Sequence, residues 1–182
     1  MLPQIHIMGA SGAGVSTLGR ALAARLACTA LDTDDFYWQP TVPPYRDKRA
    51  VATRLSLLHA AFAQARHGWV LAGAATGWGD PLIPLFERVV FVDTPTEVRL
   101  GRLRTRETAA FGAVNVAPGG ERHAEFLEFL EWASRYDHGD REGRSRPIHD
   151  AWLARLPCPV LRVDGTRPIA DLVARICAAR HD

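Results

Sequence analysis

A short run near the start of the chain combines residue types and spacing suited to holding phosphate: Gly9-Ala10-Ser11-Gly12-Ala13-Gly14-Val15-Ser16-Thr17. Its pattern is GxxxxG, one residue, then a hydroxyl. Glycines let such a loop wrap with its N–H groups facing inward around a polyphosphate. A helix starting directly afterwards adds its positive end. Ser16 supplies a hydroxyl for a nucleotide-bound Mg²⁺. The residue before that hydroxyl is ordinarily a lysine that reaches the β- and γ-phosphates as a point charge. Here it is Val15. The loop amides are still expected to bind nucleotide, but catalysis would need another cation. Lys48 is the only lysine among 22 Lys and Arg residues, so the candidates are arginines, which grip phosphate with a planar fork.

The elements around this loop alternate. Apolar runs predict strands over 5–8, 29–31, 69–72, 88–93 and 160–163. Helical spacing predicts helices over 16–27, 47–66, 96–106, 121–135, 149–156 and 169–179. The three prolines of 36–45 predict a loop, and glycines predict another over 111–120. Thr94 or Thr96 is a candidate N-cap for the helix that follows Asp93, which itself reads as a turn and helix start. Strands alternating with helices imply one α/β domain: a parallel five-stranded sheet with helices on both faces. Such sheets bind ligands at the carboxyl ends of their strands. The phosphate loop falls at such an end, and so does the acidic run Asp32-Thr33-Asp34-Asp35.

With these elements in order, the chain resembles the adenylate-kinase-like branch of P-loop kinases, which includes the shikimate, gluconate and nucleoside kinases. It resembles most a group of bacterial adenylate-kinase-related ATPases that share the lysine-less loop. The resemblance implies an acceptor-binding segment at about 36–68 and a lid at about 107–146. It places a carboxylate after the second strand, where relatives orient or deprotonate an acceptor hydroxyl. Asp34 and Asp35 are thereby the candidate bases, with Ser16, Asp32 and Asp34 candidates for the Mg²⁺ shell. The third strand ends in Gly73, where many relatives carry the metal-shell aspartate. Arg102 and Arg106 occupy the spacing at which relatives keep two arginines where the lid begins, and Arg99 shares their face. Arg102 would flank the nucleotide and Arg106 its phosphates. Arg141, Arg144 and Arg146 stand at the far end of the lid, and Arg106, Arg141 and Arg144 are the candidates to replace the lysine. The aromatics Phe36, Tyr37, Trp38 and Trp78 flank the expected acceptor pocket. The loop at Asp164-Gly165-Thr166-Arg167-Pro168 would hold the adenine edge by its backbone.

Composition narrows the function. A net charge of +2 gives no footprint for nucleic acid. Cys28, Cys158 and Cys177 are odd in number and far apart, which argues against a disulfide framework or a zinc site. His6, inside the first strand, reads as structural. No apolar stretch is long enough to span a membrane, and the first residues carry no basic leader, so a cytoplasmic location is expected. The expected function is ATP-dependent phosphoryl transfer, yielding ADP, to a nucleoside- or sugar-like hydroxyl or to a nucleotide. A non-catalytic nucleotide-binding sensor or pseudokinase is the alternative suggested by Val15 and Gly73, and a plain NTPase is the third reading.

Overall fold

A computed structural model of the protein describes residues 2–42, 44–139 and 143–179. Five parallel strands form the sheet in the order β2-β3-β1-β4-β5. They are β1 (Gln4–Gly9), β2 (Thr29–Asp32), β3 (Trp69–Ala72), β4 (Arg88–Asp93) and β5 (Val160–Asp164). Among the described residues eight α-helices surround them, besides a 3-10 turn at Asp80–Leu85: α1 (Val15–Leu26), α2 (Thr33–Tyr37), α3 (Val51–Gln64), α4 (Thr96–Phe111), α5 (Ala113–Val116), α6 (His123–Ser134), α7 (Arg146–Leu153) and α8 (Ile169–Ala178). The fold class expected from the alternation is the one observed. Among the described residues, no helix is long and apolar enough to cross a membrane.

Strand alternation builds a core on each face. Ile5 and Ile7 of β1 pack with Leu18 and Leu22 of α1 and Leu172, Val173 and Ile176 of α8. Met8 points the other way, into a cluster with Leu58 of α3 and Trp152 and Leu153 of α7. The central strands are buried on both faces and so read as continuous apolar runs. A smaller cluster joins α4 to α6 through Leu103, Leu130 and Ala133.

Several boundaries differ from expectation, each for a local reason. The acidic run is helical, because the Asp32 side chain accepts from Asp34 N at 3.1 Å and caps α2. That helix carries Phe36 and Tyr37 out of the expected loop. The helix expected over 47–66 begins only at Val51. The chain before it is held extended by Gln39 N donating to Asp47 O at 2.8 Å and Arg49 N to Tyr37 O at 2.9 Å. α4 runs on to Phe111 and stops where Gly112 turns to φ 85°, and the expected loop after it contains α5. The helix expected over 149–156 begins at Arg146, with Pro147 in the first turn, where its missing N–H has no consequence. Neither threonine caps α4. Pro95 occupies the cap position, Thr94 Oγ1 donates to Ala13 O at 3.2 Å, and the Thr96 hydroxyl donates to Asp137.

Candidate functional site

The phosphate loop leaves the carboxyl end of β1, at the centre of the sheet, and turns directly into α1. Gly12 and Gly14 take φ 80° and 98°, left-handed values that glycine adopts without strain. Ala13 N donates to Ala10 O at 3.0 Å, and Leu18 N makes the first bond of the helix, to Gly14 O at 2.9 Å. Val15, Ser16 and Thr17 therefore hold first-turn amides that have no partner inside the helix. Gly9, Ala10 and Ala13 are buried and Ser11 is half-buried, so the loop is tightly seated. At Gly12 a Cβ would lie 2.6 Å from Arg99 O, which leaves no room between loop and α4. Val15 is 9% exposed and belongs to the core of the α1 face.

The acids stand two strands away, at the carboxyl end of β2. Asp32 is the cap of α2, Asp34 is half-buried and Asp35 is exposed. Burial pushes the Asp34 carboxyl above its usual range; the Arg144 charge opposes this, and Asp32 and Asp35 add to it. Burial and the Asp32 charge likewise raise Asp35. Between acid and loop lies the end of β3. There Gly73 has φ 118°, and a Cβ would sit 1.9 Å from Thr33 Oγ1. No side chain fits where relatives would carry an aspartate. Among the described residues, no group of three or more His, Cys, Asp or Glu side chains could hold a metal. A Mg²⁺ here would depend on phosphate oxygens together with Ser16 and the Asp32–Asp34 pair, the manner in which Mg²⁺ is usually bound beside nucleotides.

The arginines separate into distinct roles. Arg99 is fully buried and donates to Thr94 O at 3.0 Å, Ala133 O at 3.2 Å and Asp137 Oδ2 at 3.0 Å, so it is structural. Arg102 donates to Ala13 O at 3.2 Å and Gly165 O at 2.9 Å, tying the phosphate loop to the loop after β5. Arg106 is largely exposed and pairs with Glu107 at 2.9 Å. Arg144 acts on Asp34. Arg141 lies outside the described residues. Arg146 opens α7 and pairs with Asp93 and Asp137. Asp93 is thus an ion-pair partner rather than a helix start.

One residue of the site was missed from the sequence. Arg54 of α3 is 6% exposed, and its guanidinium lies 3.8 Å from the Tyr37 ring centroid and 5.4 Å from that of Trp78. Among the described residues only its Nε finds a protein acceptor, Arg49 O at 2.8 Å. Tyr37 is three residues after Asp34 on α2, hence on the same face. Of the four aromatics of these segments, three meet, with Tyr37 4.8 Å from Trp38 and 5.9 Å from Trp78, ring to ring, while Phe36 packs against the core cluster of Leu58 and Trp69. Arg54 sits in an ordinary alanine-rich helix, and only the fold brings it between those rings.

Phosphate loop, sheet order and flanking helices define the fold of the P-loop kinases. The chain superposes on shikimate kinase from Bacteroides thetaiotaomicron with a TM-score of 0.58 and 15% identity, over 100% of both chains. Shikimate kinase from Acinetobacter baumannii, in complex with shikimate, superposes with a TM-score of 0.54 and 18% identity, over 97% of this chain and 92% of that one. No family model matches the sequence. The chain belongs to the family of YqaC, an uncharacterized protein of Bacillus subtilis (strain 168), with which it is 43% identical over 176 residues, 97% of this chain and 96% of that protein.

Proposed function

We propose that the protein is an ATP-dependent kinase that phosphorylates a hydroxyl of a small molecule. The observation that carries this reading is the half-buried carboxyl of Asp34, raised by burial against the opposing charge of Arg144, at the same sheet end as the phosphate loop. A protein that only bound nucleotide would need neither group. Loop amides and the positive end of α1 would hold the phosphates of ATP, and Ser16 with Asp32 and Asp34 would hold Mg²⁺. Bound there, the metal would neutralise phosphate charge. Asp34 would take the acceptor's proton as the acceptor oxygen bonds to the γ-phosphorus, the bond to the β-phosphate oxygen breaks and ADP leaves. Arg144, and Arg106 once released from Glu107, would offset the transferring charge that a lysine ordinarily meets. Arg102 would act from behind the loop. Residues 36–68 would bind the acceptor and 107–146 would cover the site. Arg54, between Tyr37 and Trp78, would receive an anionic or flat ring-bearing part of the acceptor.

The burial of Val15 supports a second reading, a non-catalytic nucleotide sensor. One assay separates them: transfer of labelled γ-phosphate to a panel of hydroxyl acceptors by wild type, Asp34→Asn and Asp35→Asn. The kinase reading expects turnover in wild type and a loss of about 10²–10⁴-fold in Asp34→Asn, the usual contribution of a general base. Nucleotide binding without transfer to any acceptor would favour the sensor, and full turnover in both variants would place the base elsewhere.

A further inference from the structure

β5 is the last strand of the sheet, and among the described residues nothing pairs with its outer side. Pro159 O accepts from Val89 N at 3.0 Å, and Gly165 N donates to Asp93 O at 2.7 Å. In a parallel ladder alternate residues turn both backbone groups to the same neighbour. Pro159, Leu161, Val163 and Gly165 therefore face β4, and Val160, Arg162 and Asp164 turn their backbone N–H and C=O outward. The Asp164 carbonyl accepts from Arg167 N at 3.1 Å and keeps its second lone pair. Hollows of about 480 and 710 Å³ follow this edge from Val160 to Asp164, both bordered by Arg162 and by Arg175 of α8.

Arg162 and Asp164 are two apart and share one face of the strand. Both are exposed. Arg162 donates to Asp150 of α7 at 2.6 Å, an exposed pair that contributes little and leaves most of the guanidinium donors unused. Hydrogen bonds from the Thr166 hydroxyl and N–H hold the Asp164 carboxyl below its usual range, so it is an anion at neutral pH. Charges on an outer strand ordinarily discourage pairing. Their order here favours one register. A two-fold axis beside Val163 sets Arg162 directly opposite Asp164 of a second copy, and Asp164 opposite that copy's Arg162. The same register satisfies the backbone: residues 162 and 164 exchange N–H···O bonds, and Val163 falls between them, where none is needed. An axis one residue earlier or later sets Arg162 against Arg162, or Asp164 against Asp164.

We propose that the outer edge of β5 is the interface for a second copy of this chain, paired antiparallel about Val163 so that one sheet runs through both molecules. A two-fold contact must be self-complementary, and an arginine and an aspartate on either side of the axis are so.

The test is sedimentation velocity over a concentration series, with wild type, Arg162→Asp, Asp164→Arg, an equimolar mixture of those two variants, and the double variant that carries both. Wild type is expected to dimerise as concentration rises. Each single variant sets like charges opposite one another at both pairs, and its dimer Kd should rise on the order of tenfold or more. In the mixture the acidic strand of one variant faces the basic strand of the other, so association should return toward wild type. The double variant inverts the order and should associate likewise; it serves should a single variant fail to fold. A defect of folding or of the Asp150 pair would not be repaired by mixing. The proposal is overturned if wild type sediments as a monomer at every concentration, which would leave the edge to an extended segment of another protein. It is overturned equally if the single variants dimerise as wild type does, which would place the contact on another face. Failure of both the mixture and the double variant to associate better than the single variants overturns it as well.

Discussion

Val15 stands where a P-loop ordinarily presents its cation, and its side chain is part of the hydrophobic core. Its Cγ2 lies 3.1 Å from where a Cβ on Gly9 would be, so the site is packed for a valine. A lysine there must draw its stem out of the core to free its ammonium. Val15→Lys is expected to destabilise the free protein by roughly 1–3 kcal/mol, the usual range for disturbing a packed position. ATP would repay part of that, because the ammonium then has phosphate to meet. Thermal unfolding checks this: the variant's Tm should lie below wild type without nucleotide, and ATP should raise it by more than it raises wild type. Turnover should stay nearly level if arginines already supply the charge. A large gain in turnover would mean that the charge was missing.

At the scale of elements, the acidic helix and the end of β3 are fitted to one another. Thr33 is 1% exposed and fills the space above Gly73, whose φ of 118° excludes other residues. Gly73→Ala is expected to destabilise the fold by roughly 1–3 kcal/mol through overpacking, and more through backbone strain. Gly73→Asp should do worse and add no metal affinity, since Thr33 and not solvent meets the new side chain. Adding Thr33→Ala should restore part of the loss in denaturant melts, because the two positions share one contact. Full tolerance of Gly73→Ala would mean that α2 shifts freely, and the acid would then lack a fixed position. The same elements divide what the sequence revealed from what it hid. The strands, the phosphate loop and the helix after it were legible because apolar runs and glycine spacing are local signals. The start of α3 was not, because Gln39, Asp47, Tyr37 and Arg49 hold that stretch extended through pairing across the chain. Asp93 looked like a helix start because its partner, Arg146, is 53 residues away. Arg54 was hidden for the same reason, since nothing near it in sequence distinguishes it from a solvated helix arginine.

Across the whole molecule, the sheet carries a titratable group in its interior. His6 of β1 is fully buried, stacked on Phe86 at 5.0 Å, with Nδ1 hydrogen-bonded to Leu71 O at 3.0 Å. Burial disfavours the imidazolium and pushes its pKa down to about 4, against the partial opposition of the Leu71 carbonyl. In the unfolded chain the same histidine titrates near the ordinary value of 6.5. Between those two values the unfolded state binds more protons, so stability rises with pH through this window. Above the unfolded value the fold keeps its full margin, and as pH falls toward 4 it is lost progressively, up to about 3 kcal/mol for a shift of this size. Asp34 and Asp35 act in the opposite sense, because their raised carboxyls take a proton more readily folded than unfolded and so favour the fold as the solution becomes acidic. The sign of the net slope identifies the dominant group. Urea melts at pH 7 and pH 5 are expected to show wild type weaker at the lower pH. His6→Asn retains a side-chain donor for the Leu71 carbonyl but cannot titrate, so the difference between its two melts should shrink. If His6→Asn loses as much stability on acidification as wild type, the buried histidine is not the source of the slope.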